Sequence, residues 1–339
     1  MARINLLTIH YGQCYGAVMQ TYATCRILEK AGHTVNVINI INPNQKGNWK
    51  LLSYWKECIR EFQFWLFKKR YFPKLTNKAY NINDIHLPAS DLTIVGSDQV
   101  WNRNITKEFG KIFYLDFVCN QPKVALSSSF GKAHWSEDSQ YTNEVKQLLS
   151  QFKAISVREK TGVEILDQIF NLPSINLPDP TIGYGQFDDL VLNNRPLHKI
   201  FTFLLLRNDE ALSIANAISE ELHIPLYNPS KISSKIFNGP RHWLTRIKNS
   251  DYIITDSFHG LALSVIFKKQ FFVLCADEAK FTRLQSLLQL LSLEERFIYD
   301  MEDFIQRKDI LIRPIDYKSV NTILSGIRHQ YEEFLSRFI

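Results

Sequence analysis

Short apolar runs alternate with helical patterns from the start of the chain. Residues 3–9 form a compact apolar run, two glycines punctuate the loop after it, and residues 17–31 carry apolar positions at helical spacing. Gly32 ends that pattern, and a second apolar run follows over 35–41. A strand, a glycine loop, a helix and a second strand in this order begin an α/β unit with a parallel sheet.

The same alternation extends through the rest of the chain. Further short runs, each of a length typical of a buried strand, lie at 92–95, 124–126, 154–156, 200–206, 224–227, 252–255 and 271–274. Helical patterns cover 210–222 and 318–338, and an Asn-rich stretch that ends in Pro196 separates the two halves. We therefore expect one domain at 1–192, a second at 193–315, and a terminal helix at 316–339.

Two α/β domains of this kind predict where ligands bind. Both halves have the pattern of a Rossmann-like domain with a parallel sheet, and we expect the two sheets to face a cleft. In open parallel sheets, ligands bind outside the carboxyl ends of the strands. Chemically active side chains are therefore expected where strands give way to loops.

Composition and charge narrow the class of protein. The chain has 45% hydrophobic and 22% charged residues, a normal globular mix, and its formal charge of +6 favours anionic ligands or anionic lipid headgroups. No zinc-finger, helix-turn-helix or aromatic ribonucleoprotein signature accompanies this charge, so we expect no nucleic-acid partner. No apolar run approaches the roughly 20 residues of a membrane span, and no signal-peptide pattern opens the chain, which predicts a cytoplasmic protein. Five scattered cysteines indicate reduced thiols rather than a metal site.

The segment 252–260 carries the sharpest chemical pattern of the second half. An apolar run ends at Thr255, a polar turn follows, and His259 and Gly260 stand at the entrance of an apolar helical pattern. A helix N-terminus attracts phosphate or carboxylate, and histidine is the side chain best suited to proton transfer near neutral pH. Equally, Asp256 or Ser257 could simply cap the helix, with His259 packed on the domain surface.

Arg207 is a second candidate in this half. It follows the apolar run 200–206 and precedes a helical pattern, so a strand end would direct it toward the cleft. A guanidinium can hold a carboxylate or phosphate in bidentate fashion. A solvent-facing arginine paired with Asp209 or Glu210 is the simpler interpretation.

The first half has a dense polar turn at 96–102. Asp98 and Asn102 can reach sugar hydroxyls, and Trp101 can cover a ring face, so the turn suits glycan binding. Alternatively, Asp98 satisfies loop amides and Trp101 belongs to the core. The earlier loop around Gly12 and Gly16 permits close backbone approach, although it matches neither a Walker sequence nor a dinucleotide fingerprint.

The stretch 49–72 is rich in aromatic residues and ends in three consecutive basic residues. Leu52, Trp55, Ile59, Phe62 and Leu66 recur at helical spacing. Such a stripe either faces the core, which we favour, or lies on an anionic membrane surface.

Taken together and in order, these segments resemble the bacterial polysaccharide pyruvyl transferases. The motifs that carry the resemblance are Tyr15–Ala23, Gly96–Asn102, Ser129–Gly131, Ile155–Glu159, Asp179–Thr181 and Thr255–Gly260. The resemblance implies two Rossmann-type domains of GT-B type and a terminal helix that returns to the first domain. It also implies phosphoenolpyruvate as donor and, for many members, a cyclic ketal across two sugar hydroxyls.

The resemblance further implies roles for individual residues. His259 corresponds to the family histidine before glycine and is expected to bind the donor and transfer protons, with Ser257, Gly260 and Arg207 on the donor side. Asp98 is expected to position or deprotonate the acceptor hydroxyl, with Gln99, Trp101, Asn102, Gly16 and Gln20 on the acceptor side. Some members have arginine where this chain has Ser257, and asparagine where it has Cys14, so those two positions depart from the pattern. No cofactor or metal is expected.

Two other functions fit the same pattern. One is a GT-B glycosyltransferase with a nucleotide-sugar donor, and the other is a relative that binds glycans or anions without catalysis. The sequence identifies neither the acceptor sugar nor an oligomeric state. We expect a glycan acceptor, free or lipid-linked, and a location in the cytoplasm or on the inner face of the plasma membrane.

Overall fold

The computed structural model describes residues 1–41, 51–206, 208–228, 238–274, 278–311 and 313–339, without the side chains of 51–54, 108, 110, 278–280 and 311. The chain forms two compact units. The first unit comprises Met1–Tyr54, Phe64–Tyr184 and Gly326–Ile339, and the second comprises Trp55–Gln63 and Gly185–Ser325. None of the helices within the described ranges is both long enough and apolar enough to cross a bilayer.

The first unit is built on a parallel sheet. Its strands are β1 Arg3–Leu7, β2 Thr34–Val37, β3 Lys74–Leu75, β4 Leu92–Val95, β5 Lys123–Ser128, β6 Phe152–Val157 and β7 Ile175–Asn176. They lie in the order β3-β2-β1-β4-β5-β6-β7, and every adjacent pair is parallel. The chain order reverses between β1 and β4, and ligands of doubly wound sheets bind at this kind of switch point.

Helices connect these strands. They are α1 Tyr15–Lys30, α2 Leu51–Tyr71, α3 Arg103–Thr106, α4 Ser139–Leu149, α5 Lys160–Gln168 and α6 Pro180–Tyr184, with 3₁₀ turns at Ile82–Asp84 and Lys107–Tyr114. The strands β4 and β5 are buried at every residue, as expected for the interior of a parallel sheet covered on both faces. The apolar runs of the sequence therefore correspond to strands whose side chains are buried on both faces of the sheet.

The second unit repeats this design on a smaller scale. Its strands β8 Ile200–Phe203, β9 Tyr252–Thr255, β10 Gln270–Leu274 and β11 Phe297–Ile298 form a parallel sheet in the order β11-β10-β9-β8. The helices of this half are α7 Asp209–Leu222, α8 Pro240–Asn249, α9 Phe258–Ile266, α10 Glu278–Leu291 and α11 Met301–Gln306, with 3₁₀ turns at Asp188–Leu190, Glu294–Arg296 and Lys308–Leu311. The predicted α/β class with parallel sheets is thus confirmed.

The last helix, α12 Tyr317–Phe338, contributes its end to the first unit. The Tyr331 hydroxyl donates to the Pro178 carbonyl at 2.6 Å and lies 2.7 Å from Ser127 Oγ. Gly183 makes room for the ring, because a Cβ atom there would lie 2.3 Å from Tyr331 Cε2. The predicted return of the terminal helix is therefore confirmed, and the Tyr331 phenol and Gly183 form a buried part of its contact with the first unit.

A buried histidine follows β1. His10 Nδ1 lies 3.0 Å from the Thr8 carbonyl, so this nitrogen carries the proton, and Nε2 lies 3.5 Å from Asn39 Oδ1. Burial, and then the charge of Lys68, lower the pKa of His10 to about 4. The imidazole is therefore neutral in the folded protein at physiological pH.

We expect Tyr331→Phe to reduce the free energy of unfolding by about 2 kcal/mol, since it leaves the Pro178 carbonyl and Ser127 with fewer partners in a buried site. Urea denaturation measures the change. Tyr299→Phe serves as the control because Tyr299 is exposed. An equal, small effect of both substitutions would contradict the structural role assigned to the Tyr331 hydroxyl.

We expect His10 to make the protein less stable at acid pH. Its pKa is 6.5 in the unfolded chain and about 4 in the folded one, so the folded state binds fewer protons in that interval. The contribution of neutral His10 to the free energy of unfolding is complete above pH 6.5. It falls by roughly 3 kcal/mol as the pH is lowered toward 4. Denaturation across this range should show a weaker pH dependence in His10→Asn than in the native protein. His134→Asn, which removes an exposed histidine, is the matched control, and an equal change of the pH dependence in both variants would contradict the role of His10.

Candidate functional site

The turn between β9 and α9 places His259 at a helix N-terminus. Ser257 is the N-cap residue of α9, and its Oγ accepts a hydrogen bond from the Gly260 amide at 3.3 Å. His259 lies in the first helical turn with 8% of its surface exposed, and its ring contacts the edge of Phe258 at 5.3 Å. The positive end of the helix dipole therefore lies beside a largely buried imidazole, an arrangement suited to an anion.

Asp256 has a different role from the helix cap considered for it. Its two carboxylate oxygens accept hydrogen bonds from the amides of Leu205 at 2.6 Å and Leu206 at 2.8 Å. These amides leave the sheet, so β8 ends at Phe203 instead of continuing through the apolar run. The carboxylate thus joins the ends of two neighbouring strands. Arg207, the next residue, lies outside the described part of the chain.

Close packing fixes the backbone of the His259 turn. Thr255 Oγ1 donates to the Phe203 carbonyl at 2.7 Å and accepts from the Ser257 amide at 3.0 Å. A Cβ atom on Gly260 would lie 2.4 Å from Thr255 Oγ1, so the glycine is needed for the approach of α9 to the strand. The position of His259 is therefore determined by buried contacts on both sides of it.

The first unit gathers charge at the carboxyl ends of β4, β5 and β6. The Arg158 side chain, 1% exposed, contacts Asp179 at 2.9 Å, Glu159 at 3.1 Å and Asp98 at 3.8 Å. Burial opposes the charged form of Arg158, but the three carboxylates raise its pKa above the usual value. Ser97 Oγ donates to Asp179 at 2.7 Å. One buried guanidinium thus organises three acids at this edge of the sheet.

Asp98 is the acid of this cluster that reaches the surface. Its side chain is 15% exposed, whereas the side chains of Glu159 and Asp179 are almost fully buried. Its backbone has φ 78°, a region that residues other than glycine seldom adopt and that is enriched at functional sites. Its Oδ1 also accepts from the Gln99 amide at 2.8 Å. Asp98 is therefore held in a fixed position with part of its carboxylate accessible.

Tyr11 lies after β1, the strand next to β4 at the switch point. Burial raises the pKa of Tyr11 to about 12, and the charge of Asp98 acts in the same direction. The phenol is therefore protonated at neutral pH. It adds a neutral hydroxyl to the region of the Asp98 carboxylate.

The other residues of the predicted acceptor side have structural contacts. Gln99 Oε1 accepts from Asn102 Nδ2 at 2.8 Å, and Asn102 Oδ1 caps α3 through the Asn104 amide at 3.1 Å. Trp101 is 2% exposed, donates to the Phe113 carbonyl and stacks on Tyr114 at 5.7 Å. Trp101 therefore belongs to the core, as in the alternative interpretation of this turn, and does not form an exposed platform for a sugar ring.

Gly16 and Gln20 lie on the buried surface of α1. Gln20 Nε2 donates to the Ile9 carbonyl at 2.9 Å and to Thr8 Oγ1 at 3.0 Å. The side chain of Gln20 thus holds the loop that follows β1. Its contacts within the described chain are with protein backbone and hydroxyl groups.

Sequence reasoning did not single out Arg158, Glu159, Asp179 or Tyr11 as site residues. A signal for the first two was present, because they follow directly after an apolar run and stand at a strand end. Neither Tyr11 nor Asp179 stands directly after an apolar run, so the sequence pattern alone did not mark them as strand-end residues. Their relevance depends on the strand order, which brings the ends of strands distant in sequence together.

Solved structures show what this fold is similar to. Staphylococcus aureus MnaA, in a co-structure with UDP, matches with a TM-score of 0.51 and 12% identity over 95% of this chain and 91% of that chain. UDP-GlcNAc 2-epimerase from Methanocaldococcus jannaschii matches with a TM-score of 0.48 and 12% identity, covering 96% of this chain and 99% of that one. The calicheamicin glycosyltransferase CalG4 matches with a TM-score of 0.45 and 10% identity, covering 99% of each chain. The likeness to MnaA supports the GT-B-like fold and carries no functional conclusion.

Sequence comparison identifies the family. A search of curated proteins finds no match to this chain. The model of the family described as polysaccharide pyruvyl transferase matches residues 15–274. This range contains both the Asp98 turn and the His259 turn, and it spans well over half of the chain. The chain belongs to the polysaccharide pyruvyl transferase family.

Proposed function

We propose that the protein transfers a pyruvyl unit from phosphoenolpyruvate to a pair of sugar hydroxyls in the precursor of a surface polysaccharide. The observation that carries the proposal is the buried turn between β9 and α9, which lies within the family match and places His259 at a helix N-terminus. Phosphoenolpyruvate has a phosphate and a carboxylate. A helix N-terminus with an adjacent imidazole suits either group.

The donor is assigned to the second unit. His259 contacts the donor phosphate or transfers a proton, and Ser257 and Gly260 shape the turn beside it. Arg207 is assigned to an anionic group of the donor, because it follows a loop whose amides Asp256 already holds in place. Where relatives have arginine, this chain has Ser257, so Arg207 supplies the missing positive charge in this assignment.

The acceptor is assigned to the first unit. The Asp98 carboxylate receives or orients the proton of a sugar hydroxyl, and the neutral Tyr11 phenol lies in the same region. Arg158 lies 3.8 Å from Asp98 and holds a positive charge beside this carboxylate, which can accept a hydrogen bond or a proton from a sugar hydroxyl. Asp98 is partly accessible and rigidly held, which are the properties that a positioning base requires.

The proposed reaction conserves atoms and charge. One sugar hydroxyl adds to C2 of phosphoenolpyruvate, its proton passes to a base, and the C3 methylene gains a proton to become a methyl group. The C2–O bond to phosphate then breaks, the second hydroxyl closes the ketal at C2, and the proton of that hydroxyl leaves with the released phosphate. Each step needs proton transfer and stabilisation of negative charge, the tasks assigned here to Asp98, His259 and Arg207.

We expect phosphoenolpyruvate to stabilise the protein against heat. At a ligand concentration of 100 times Kd the gain is about 2.7 kcal/mol, measurable as a rise in Tm. The rise should shrink strongly in His259→Gln, whereas His134→Gln, at an exposed position, should retain it. Stabilisation by UDP or nucleotide sugars, with no effect of phosphoenolpyruvate, would instead identify a glycosyltransferase.

We expect Asp98→Asn to separate donor binding from transfer. The substitution keeps the size of the side chain and removes its basicity, so the stabilisation by phosphoenolpyruvate should persist. Pyruvylation of lipid-linked sugars, detected as a mass increase of the acceptor, should fall at least about 100-fold. Asp167→Asn, at an exposed position of α5, is the matched control. Full transfer by Asp98→Asn would remove the base assigned here.

A further inference from the structure

Helix α2 is apolar on two opposite faces. Phe64 and Phe67 point into the first unit, where they contact the rings of Tyr15 at 5.2 Å and Tyr22 at 6.3 Å. The opposite face carries large apolar side chains with exposed fractions of 72% at Trp55, 57% at Phe62, 46% at Trp65 and 46% at Leu66. We call these four residues the exposed stripe.

The exposed stripe reverses the interpretation favoured for this helix from the sequence. Trp55, Phe62 and Leu66 belong to the set of apolar positions that was expected to face the core. Their spacings of seven and four residues place them on one side of the helix, and Trp65 lies beside them. Because Phe64 and Phe67 fix the rotation of the helix, the stripe cannot turn inward without exposing two buried rings.

Basic side chains accompany the stripe. Lys56, Lys69 and Arg70 are exposed, and Lys69 Nζ lies 5.0 Å from the centre of the Trp65 ring. The sequence of α2 contains five Lys or Arg residues and two Glu residues. Trp rings and cations side by side on one helix are characteristic of helices that lie in the interface of an anionic bilayer.

The clustering distinguishes this surface from ordinary exposed apolar residues. Single exposed aliphatic side chains occur on other helices, such as Leu212 on α7 and Ile305 on α11. Such isolated residues are normal on a protein surface. Two tryptophans, a phenylalanine and a leucine on one helical face form a contiguous patch, which marks an interaction surface.

We propose that α2 docks the protein on an anionic membrane surface, with the exposed stripe at the boundary between headgroups and acyl chains. Lys56, Lys69 and Arg70 then meet lipid phosphates. The cations favour this occupant over a second copy of the chain, since a second copy would bring more positive charge to the same surface. The inference concerns side chains other than Asp98 and His259, and it does not depend on the transfer reaction.

Vesicle sedimentation tests the proposal with the full-length protein. We expect it to pellet with phosphatidylcholine vesicles that contain phosphatidylglycerol, to stay in solution with phosphatidylcholine alone, and to be released by high salt. Binding should also shift the tryptophan emission to shorter wavelength. Equal pelleting with both vesicle types, or no pelleting with either, would overturn the proposal.

Two variants identify the side chains responsible. Trp55→Ser combined with Phe62→Ser should lower the partition coefficient at least about tenfold, because two apolar groups no longer enter the interface. Lys69→Glu combined with Arg70→Glu should abolish the preference for phosphatidylglycerol. All four positions are exposed, so circular dichroism and Tm should match those of the native protein.

Leu212→Ser combined with Ile305→Ser is the matched control. It removes two exposed aliphatic residues from other helices and should leave vesicle binding unchanged.

Sedimentation equilibrium without vesicles tests whether a second copy of the chain binds to the exposed stripe instead. If the native protein dimerises and Trp55→Ser with Phe62→Ser makes it monomeric while vesicle binding is unaffected, the stripe is a self-association surface and the membrane proposal is wrong.

Discussion

Charge neutralisation at the carboxyl edge of a parallel sheet is the constraint on which the first unit depends. Arg158 is enclosed together with Asp179 and Glu159, and each of these acids would be costly to bury without a cation. The guanidinium also extends to Asp98, which is partly exposed. The guanidinium that neutralises the two buried acids therefore also contacts the partly exposed carboxylate of Asp98.

In the second unit, backbone amides stabilise the carboxylate that is buried at the end of a strand. Asp256 has 4% of its surface exposed, and its two carboxylate oxygens accept hydrogen bonds from the amides of Leu205 and Leu206. Those hydrogen bonds draw the chain out of β8 and shape the loop that leads to Arg207. In both units a buried polar contact thus lies at the carboxyl ends of the strands: Arg158 contacts three acids in the first unit, and Asp256 contacts two amides in the second.

The sequence predicted the fold class well because buried parallel strands are continuous apolar runs. The runs at 92–95 and 252–255 coincide with β4 and β9. The run 200–206 was overextended, since Asp256 takes the amides of its last residues, and the run 224–227 yields only an isolated bridge at Leu226. The contact that ends β8 comes from a residue about 50 positions away, which periodicity cannot detect. The domain limits expected from the sequence stay a prediction.

Side-chain direction was harder to predict than secondary structure. Trp101 and Trp55 are both large aromatic residues, and the pattern along the chain does not distinguish the buried one from the exposed one. Trp101 lies in the core, where its indole N–H donates to the Phe113 carbonyl. On α2, the core-facing side is occupied by Phe64 and Phe67, and Trp55 lies on the opposite side of the helix. Burial of an aromatic residue thus depends on which neighbours compete for the same space. The family motifs likewise contain residues whose contacts are structural, such as Trp101 and Ser257, beside Asp98 and His259, the two residues that we propose to contact ligands.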